Sequence, residues 1–232
     1  YGHFSKHYQK AILKWIRLVF RFAVENGHLE RNPAPHIKYK LGEKVTTVLK
    51  EKEIEVLLSK ARELDWPWYY HYCLALYTGM RSGELFALTW DKVDFDRNLI
   101  VVNESWNNKD GFKQTKSGHD RIVEIASNLK PLLLELKQIR GDKQFVLERI
   151  PCWAKGEQAR ELRKFLMAIG LPEVRFHDLR ASWCTLMLDK GVEATKVMSM
   201  GGWRDIKTHA KNGLHNGSSN SSLVRKSSWT IA

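Results

Sequence analysis

The apolar residues of this chain repeat at helical spacing almost throughout, and one interval, 99–125, breaks instead into short runs of β-favouring residues. That pattern restricts the fold to a mainly α body carrying one small antiparallel sheet, an α+β class. Three extended segments are expected, at 99–103, 112–115 and 121–125. Lys116-Ser117-Gly118-His119 reads as a hairpin turn joining the last two, and Ile122 and Ile125 fall outside strict alternation. Helices are expected around Ile54 to Leu58, over 70–77 with Gly79 as the stop, and from an N-cap at Ser82 through Leu88. Further helices are expected over 129–139, 156–169, 177–188 and 193–198. No apolar run approaches the roughly 18 residues of a membrane span, and the N-terminus lacks the pattern of a secretory signal, so a cytoplasmic protein without a membrane partner is expected. The three cysteines, Cys73, Cys152 and Cys184, are widely spaced and argue against a disulfide framework or a zinc site.

Charge narrows the partner. The 232 residues carry a net charge of +12, and residues 1–40 alone hold eight basic side chains against Glu25 and Glu30. A polyanion is the natural complement, with double-stranded DNA first, because each cation set on a phosphate releases condensed counterions. Ile12, Trp15, Ile16, Val19, Phe20 and Ala23 recur at helical spacing as a core side, while Lys10, Lys14, Arg17 and Arg21 follow the same period on the opposite face. No acid interleaves with those four cations, which favours phosphate contact over a solvated stripe. Asn26-Gly27 ends this helix, and Asn32-Pro33-Ala34-Pro35 begins an extended connector. The expected divisions are 1–40 as an incomplete helical domain, 41–48 as a linker, 49–208 as the main domain, and 209–232 as a flexible tail without any acidic residue.

Two arginines stand in more specific contexts. Arg81 lies in Thr78-Gly79-Met80-Arg81-Ser82-Gly83-Glu84-Leu85, at a joint between helices, and Arg180 lies in His177-Asp178-Leu179-Arg180. Guanidinium forks suit the two non-bridging oxygens of a phosphodiester as they gather charge in a pentacoordinate state. On a helix His177 and Arg180 share a face. Taken singly, Arg81 also reads as a surface cation paired with Glu84, and His177 as a helix-start residue.

The stretch LALYTGMRSGELFALTW at 74–90, TKSG at 115–118, HDLR at 177–180 and GGWRDIKT at 201–208 together resemble the tyrosine recombinases, or phage-type integrases, in order and spacing. Residues 1–40 look like the end of that family's core-binding domain. The resemblance implies DNA strand cleavage and rejoining through a 3′-phosphotyrosyl intermediate, on a tyrosine-recombinase-like catalytic domain. Arg81 and Arg180 would clamp the scissile phosphate, and Lys116 would protonate the leaving 5′ oxygen. His177 would assist proton transfer, Trp203 would occupy a position held by His or Trp, and Glu84 would hold Arg81. Neither a metal nor any other cofactor is implied, and self-assembly on DNA from a monomer is expected.

One element of the family pattern is missing. The family's nucleophilic tyrosine would fall at or beside Asn212, yet all seven tyrosines lie at or before Tyr77. The resemblance is followed as far as Thr208, and a shifted reading frame is the first explanation for what comes after. The expectation is a cleavage-dead, DNA-binding form. The alternatives are a tyrosine supplied in trans, a DNA-binding regulator without chemistry, and a type IB topoisomerase-like enzyme.

Overall fold

A computed structural model describes residues 3–40, 47–114 and 120–203. The chain separates into two compact units, Tyr1–Val45 and Thr46–Ala232.

In the first unit a single long helix, α1 (Lys6–Glu25), is capped by the Ser5 hydroxyl accepting from the Tyr8 amide. None of its residues is buried. The expected core side is therefore only partly covered: Ile12, Phe20 and Ala23 are half-buried, while Trp15 and Val19 remain 64% and 66% exposed. The connector folds back onto the helix: the Asn32 amide donates to the Arg17 carbonyl at 3.0 Å and the Arg17 guanidinium donates to the Pro35 carbonyl at 3.1 Å. Lys10, Lys14 and Arg21 are exposed, whereas Arg17 is partly spent on its own connector.

The second unit is mainly helical. Its helices are α2 (Glu51–Glu63), α3 (Tyr69–Thr78), α4 (Ser82–Ala87), α5 (Leu129–Arg140), α6 (Pro151–Ala154), α7 (Gln158–Ala168), α8 (Phe176–Asp189) and α9 (Ala194–Gly201). Between α4 and α5 lie β1 (Val93–Asp94), β2 (Leu99–Val102), β3 (Glu104–Asn107), β4 (Gly111–Gln114) and β5 (Arg121–Glu124). The core centres on α3, whose Tyr72, Cys73, Leu74, Ala75 and Leu76 are all at most 1% exposed, and which packs along α8. A helix apolar on every side belongs in such a place. Ser182 of α8 ties the start of the unit down: its hydroxyl accepts from the Leu49 amide and donates to the Asp178 carbonyl.

The strand pairing differs from the expected hairpin. The segment β4 pairs with β3, which the sequence reading did not distinguish, and β5 pairs with β2 in a β1-β2-β5 sheet. The register sets Ile100 against Val123, both fully buried, and Trp106 against Phe112. Burying that apolar pair selects β2 as the partner of β5, so local proximity of β4 and β5 does not decide the topology. Residues 115–119, the expected turn, lie outside the described residues. Ser82 is likewise not the cap of α4. Arg81 holds the N-cap position, and its amide donates to the Glu84 carboxylate at 2.7 Å.

His71 of α3 sits 2% exposed among Trp68 and Trp153, with Nε2 at 2.9 Å from the Glu148 carbonyl. Burial pushes its pKa down to about 4. Between about pH 6.5 and 4 the unfolded chain binds a proton that the folded chain refuses, so stability falls as pH drops through that window, by up to about 3 kcal/mol. Urea denaturation at pH 7 and pH 4.5 should show this loss in the parent and a smaller one in His71→Gln; equal losses would exclude His71 as the source.

Candidate active site

Gly79 builds the first part of the site. It ends α3 in the left-handed region at φ +62°, where the absence of a side chain also makes room for Trp183: a Cβ there would lie 2.2 Å from the indole. The chain thus turns directly beneath α8, and the Gly79 carbonyl accepts from the Arg180 guanidinium at 2.8 Å. A second fork nitrogen of Arg180 donates to the Gly201 carbonyl at 2.5 Å. Arg180 is only 3% exposed, and its guanidinium carbon lies 4.0 Å from the centre of the Trp203 ring, which stacks on Trp183 at 6.2 Å. Burial, with Arg81 nearby, drops the Arg180 pKa to about 9. The cation is therefore retained at neutral pH in a place that strongly opposes charge.

Arg81 reaches the same spot from the α4 side and remains 44% exposed at its side chain. Its guanidinium donates to Glu84 at 2.8 Å and to the Gly202 carbonyl at 3.4 Å. The two arginines are thus held by the carbonyls of adjacent residues, Gly201 and Gly202, at the end of α9. Glu84 is 2% exposed. Burial opposes its ionisation, but Arg121 and then Arg81 outweigh it and hold the carboxyl below the usual range.

His177 opens α8 at the surface end of this cluster. Partial desolvation of its ring, then the Arg180 charge, push its pKa below the usual imidazole value, so it is neutral at pH 7. The adjacent Asp178 faces elsewhere, accepting from the Arg175 amide and guanidinium.

Of the residues singled out from sequence, the structure brings together Arg81, Glu84, Arg180 and Trp203, with His177 at the margin. Lys10, Lys14, Arg17 and Arg21 lie on α1 in the other unit. Lys116 and Asn212 lie outside the described residues. Arg121 was missed. It alternates inward with Val123 while Ile122 is 53% exposed, an inversion of the usual preference. Among the described residues no group of three or more His, Cys, Asp or Glu is placed to hold a metal ion, and no helix is long and apolar enough to cross a membrane.

The fold has counterparts among solved structures. The Tn1549 transposon integrase in complex with a circular intermediate DNA superposes with a TM-score of 0.78 at 17% identity, covering 93% of this chain and 77% of that one. In sequence, the tyrosine recombinase XerC-like protein of Caldanaerobacter subterraneus subsp. tengcongensis is 24% identical over 245 residues, which cover 89% of this chain and 61% of that protein. Tyrosine recombinase XerA of Saccharolobus solfataricus is 31% identical over 139 residues, 58% of this chain and 41% of that protein. The chain thus spans less than two thirds of the length of either relative. Residues 47–216 match the family described as the phage integrase family, a span that takes in every motif from α3 to α9 and the Asn212 position. On that match the chain belongs to the phage integrase family, the tyrosine recombinases.

Proposed function

We propose that this chain carries the strand-cleavage site of a site-specific DNA recombinase and, lacking the nucleophilic tyrosine, binds duplex DNA without cutting it. The observation that supports this most directly is the pair of arginines, one buried and one half-exposed, fixed by the adjacent Gly201 and Gly202 carbonyls. Two cations pinned at one point, with a carboxylate already engaged, suit a phosphodiester whose charge grows in the transition state. In this reading Arg81 and Arg180 hold the scissile phosphate and Trp203 fixes the Arg180 plane by stacking. The neutral His177 accepts a proton at the attacking oxygen, and Lys116 delivers one to the 5′ oxygen that leaves. Attack by a tyrosine oxygen on phosphorus forms one ester as the other breaks, so the bond energy is conserved and no nucleotide is consumed. Trp203 cannot serve as an acid or base.

The domain reading belongs to the same proposal: 1–40 as the end of a core-binding domain, 49–208 as the catalytic domain, and assembly of several copies on DNA from a monomer. A nicked suicide substrate tests it. The chain as it stands should give no covalent DNA adduct, whereas a version with tyrosine at the Asn212 position and a family-like segment after it should trap one. An adduct from the unrestored chain would overturn the cleavage-dead reading. One formed only on mixing with a tyrosine-bearing subunit would establish donation in trans.

Duplex affinity should fall steeply with salt. Removing Lys10, Lys14 and Arg21 together, the exposed cations of α1, should flatten the plot of log affinity against log salt by about 2–3 units, since each phosphate contact contributes about 0.9. An unchanged slope in the triple alanine variant would exclude α1 from the interface.

A further inference from the structure

We infer that Arg121 is the positioning residue that holds both phosphate-binding arginines in place and keeps their charge available; this rests on the function proposed above. Its side chain is 9% exposed, and its three guanidinium hydrogen bonds run to groups that border the site. Two guanidinium nitrogens donate to the two oxygens of Glu84, at 2.8 and 2.5 Å, and the third donates to the Met200 carbonyl at 2.8 Å. One fork therefore joins β5 to α4, which carries Arg81 at its cap, and to the end of α9, whose next two carbonyls hold Arg180 and Arg81. Gly202 packs against the same side chain: a Cβ there would lie 3.0 Å from the Arg121 Cδ.

Charge gives this arrangement its purpose. A buried carboxylate facing Arg81 alone would neutralise it and draw it inward, away from a substrate. With Arg121 bound to both oxygens from beneath, Glu84 is already compensated, yet it still fixes the Arg81 amide and one guanidinium nitrogen. The cluster of Arg81, Arg121, Arg180 and Glu84 then keeps two net positive charges, the number a phosphodiester approaching its pentacoordinate state can use. Arg121 itself, covered by Glu84, Met200 and Gly202, needs no contact with DNA. Lysine could supply the charge at this position but not the three-way fork.

The test uses the full chain with Arg121→Lys and Arg121→Ala, each alone and combined with Arg81→Ala. In side-chain NMR of nitrogen-15-labelled protein, the Nε–H signals of Arg81 and Arg180 should shift or broaden in Arg121→Lys, while those of Arg62 on α2 and Arg160 on α7, which pair with Glu135 and Glu157, stay in place. Unmoved Arg81 and Arg180 signals would overturn the inference without reference to DNA. In duplex binding at fixed salt, Arg121→Lys should weaken affinity about fivefold when Arg81 is present and by a clearly smaller factor, through Arg180 alone, when Arg81 is already alanine. Equal losses in both backgrounds would mean that Arg121 contacts phosphate or acts on the fold at large, and the positioning role would fail. Should Arg121→Ala not fold, Arg121→Lys carries both readouts. A parent chain that binds no duplex, with the NMR signals moving as described, would refute the proposed function and leave Arg121 as the support of the arginine pair.

Discussion

Gly79→Ala should lower the unfolding free energy by about 2–5 kcal/mol. Two costs combine. A non-glycine residue at φ +62° costs about 1–2 kcal/mol, and forcing an atom into a packed core costs about 1–3 kcal/mol more. The second cost is unavoidable here because the new carbon would meet Trp183 at 2.2 Å, and Trp183 is 1% exposed with no room to withdraw. Gly201→Ala makes the useful contrast. Its Cβ would overlap the partly buried Trp203 at 2.0 Å, but Gly201 carries no left-handed backbone cost, so stability should fall by about 1–3 kcal/mol from overpacking alone. Urea titration decides both. A Gly79→Ala variant within about 0.5 kcal/mol of the parent would mean that α3 does not end in this turn.

The second large effect concerns chemistry. Arg180→Met in the tyrosine-restored chain should reduce cleavage of a suicide substrate by at least about 10²–10³, the usual cost of removing one preorganised donor to a developing oxyanion. Stability should change far less, and the magnitudes say why. Losing the fork leaves the buried Gly79 and Gly201 carbonyls without that partner, at about 1–3 kcal/mol each. Against this, the fall of the Arg180 pKa to about 9 measures how strongly its surroundings resist the cation, on the order of 4–5 kcal/mol. The two nearly cancel, so the folded state should survive within about 2 kcal/mol while the activity is lost. Full cleavage by the methionine variant would remove Arg180 from the phosphate site. Collapse of the fold would mean that its hydrogen bonds outweigh its desolvation.

Much of the fold follows from local patterning. The helical period over 54–58, 129–139 and 156–169 leads to α2, α5 and α7, and Gly79 marks the stop of α3 because few other residues enter the left-handed region without strain. Similarly, the motifs around Arg81 and Arg180 are visible because their residue types are rare in those settings. Strand partners were not visible. The choice of β2 over β4 for β5 depends on which apolar faces can be buried together, a property of two distant segments at once. Arg121 escaped for the same reason: as one cation on a short strand it has no meaning until Glu84 and Met200 are brought to it.

The sequence by itself determined the class of fold, the family motifs and the absence of a tyrosine beyond Tyr77, since each is a matter of which residues stand in which order. Only the tertiary structure decided that Arg180 is buried and Arg81 half-exposed, that adjacent backbone carbonyls hold the two, and that Glu84 serves two arginines at once. Burial and electrostatic balance depend on what surrounds a side chain in space, and for these groups the surroundings come from α3, α4, β5, α8 and the end of α9 together.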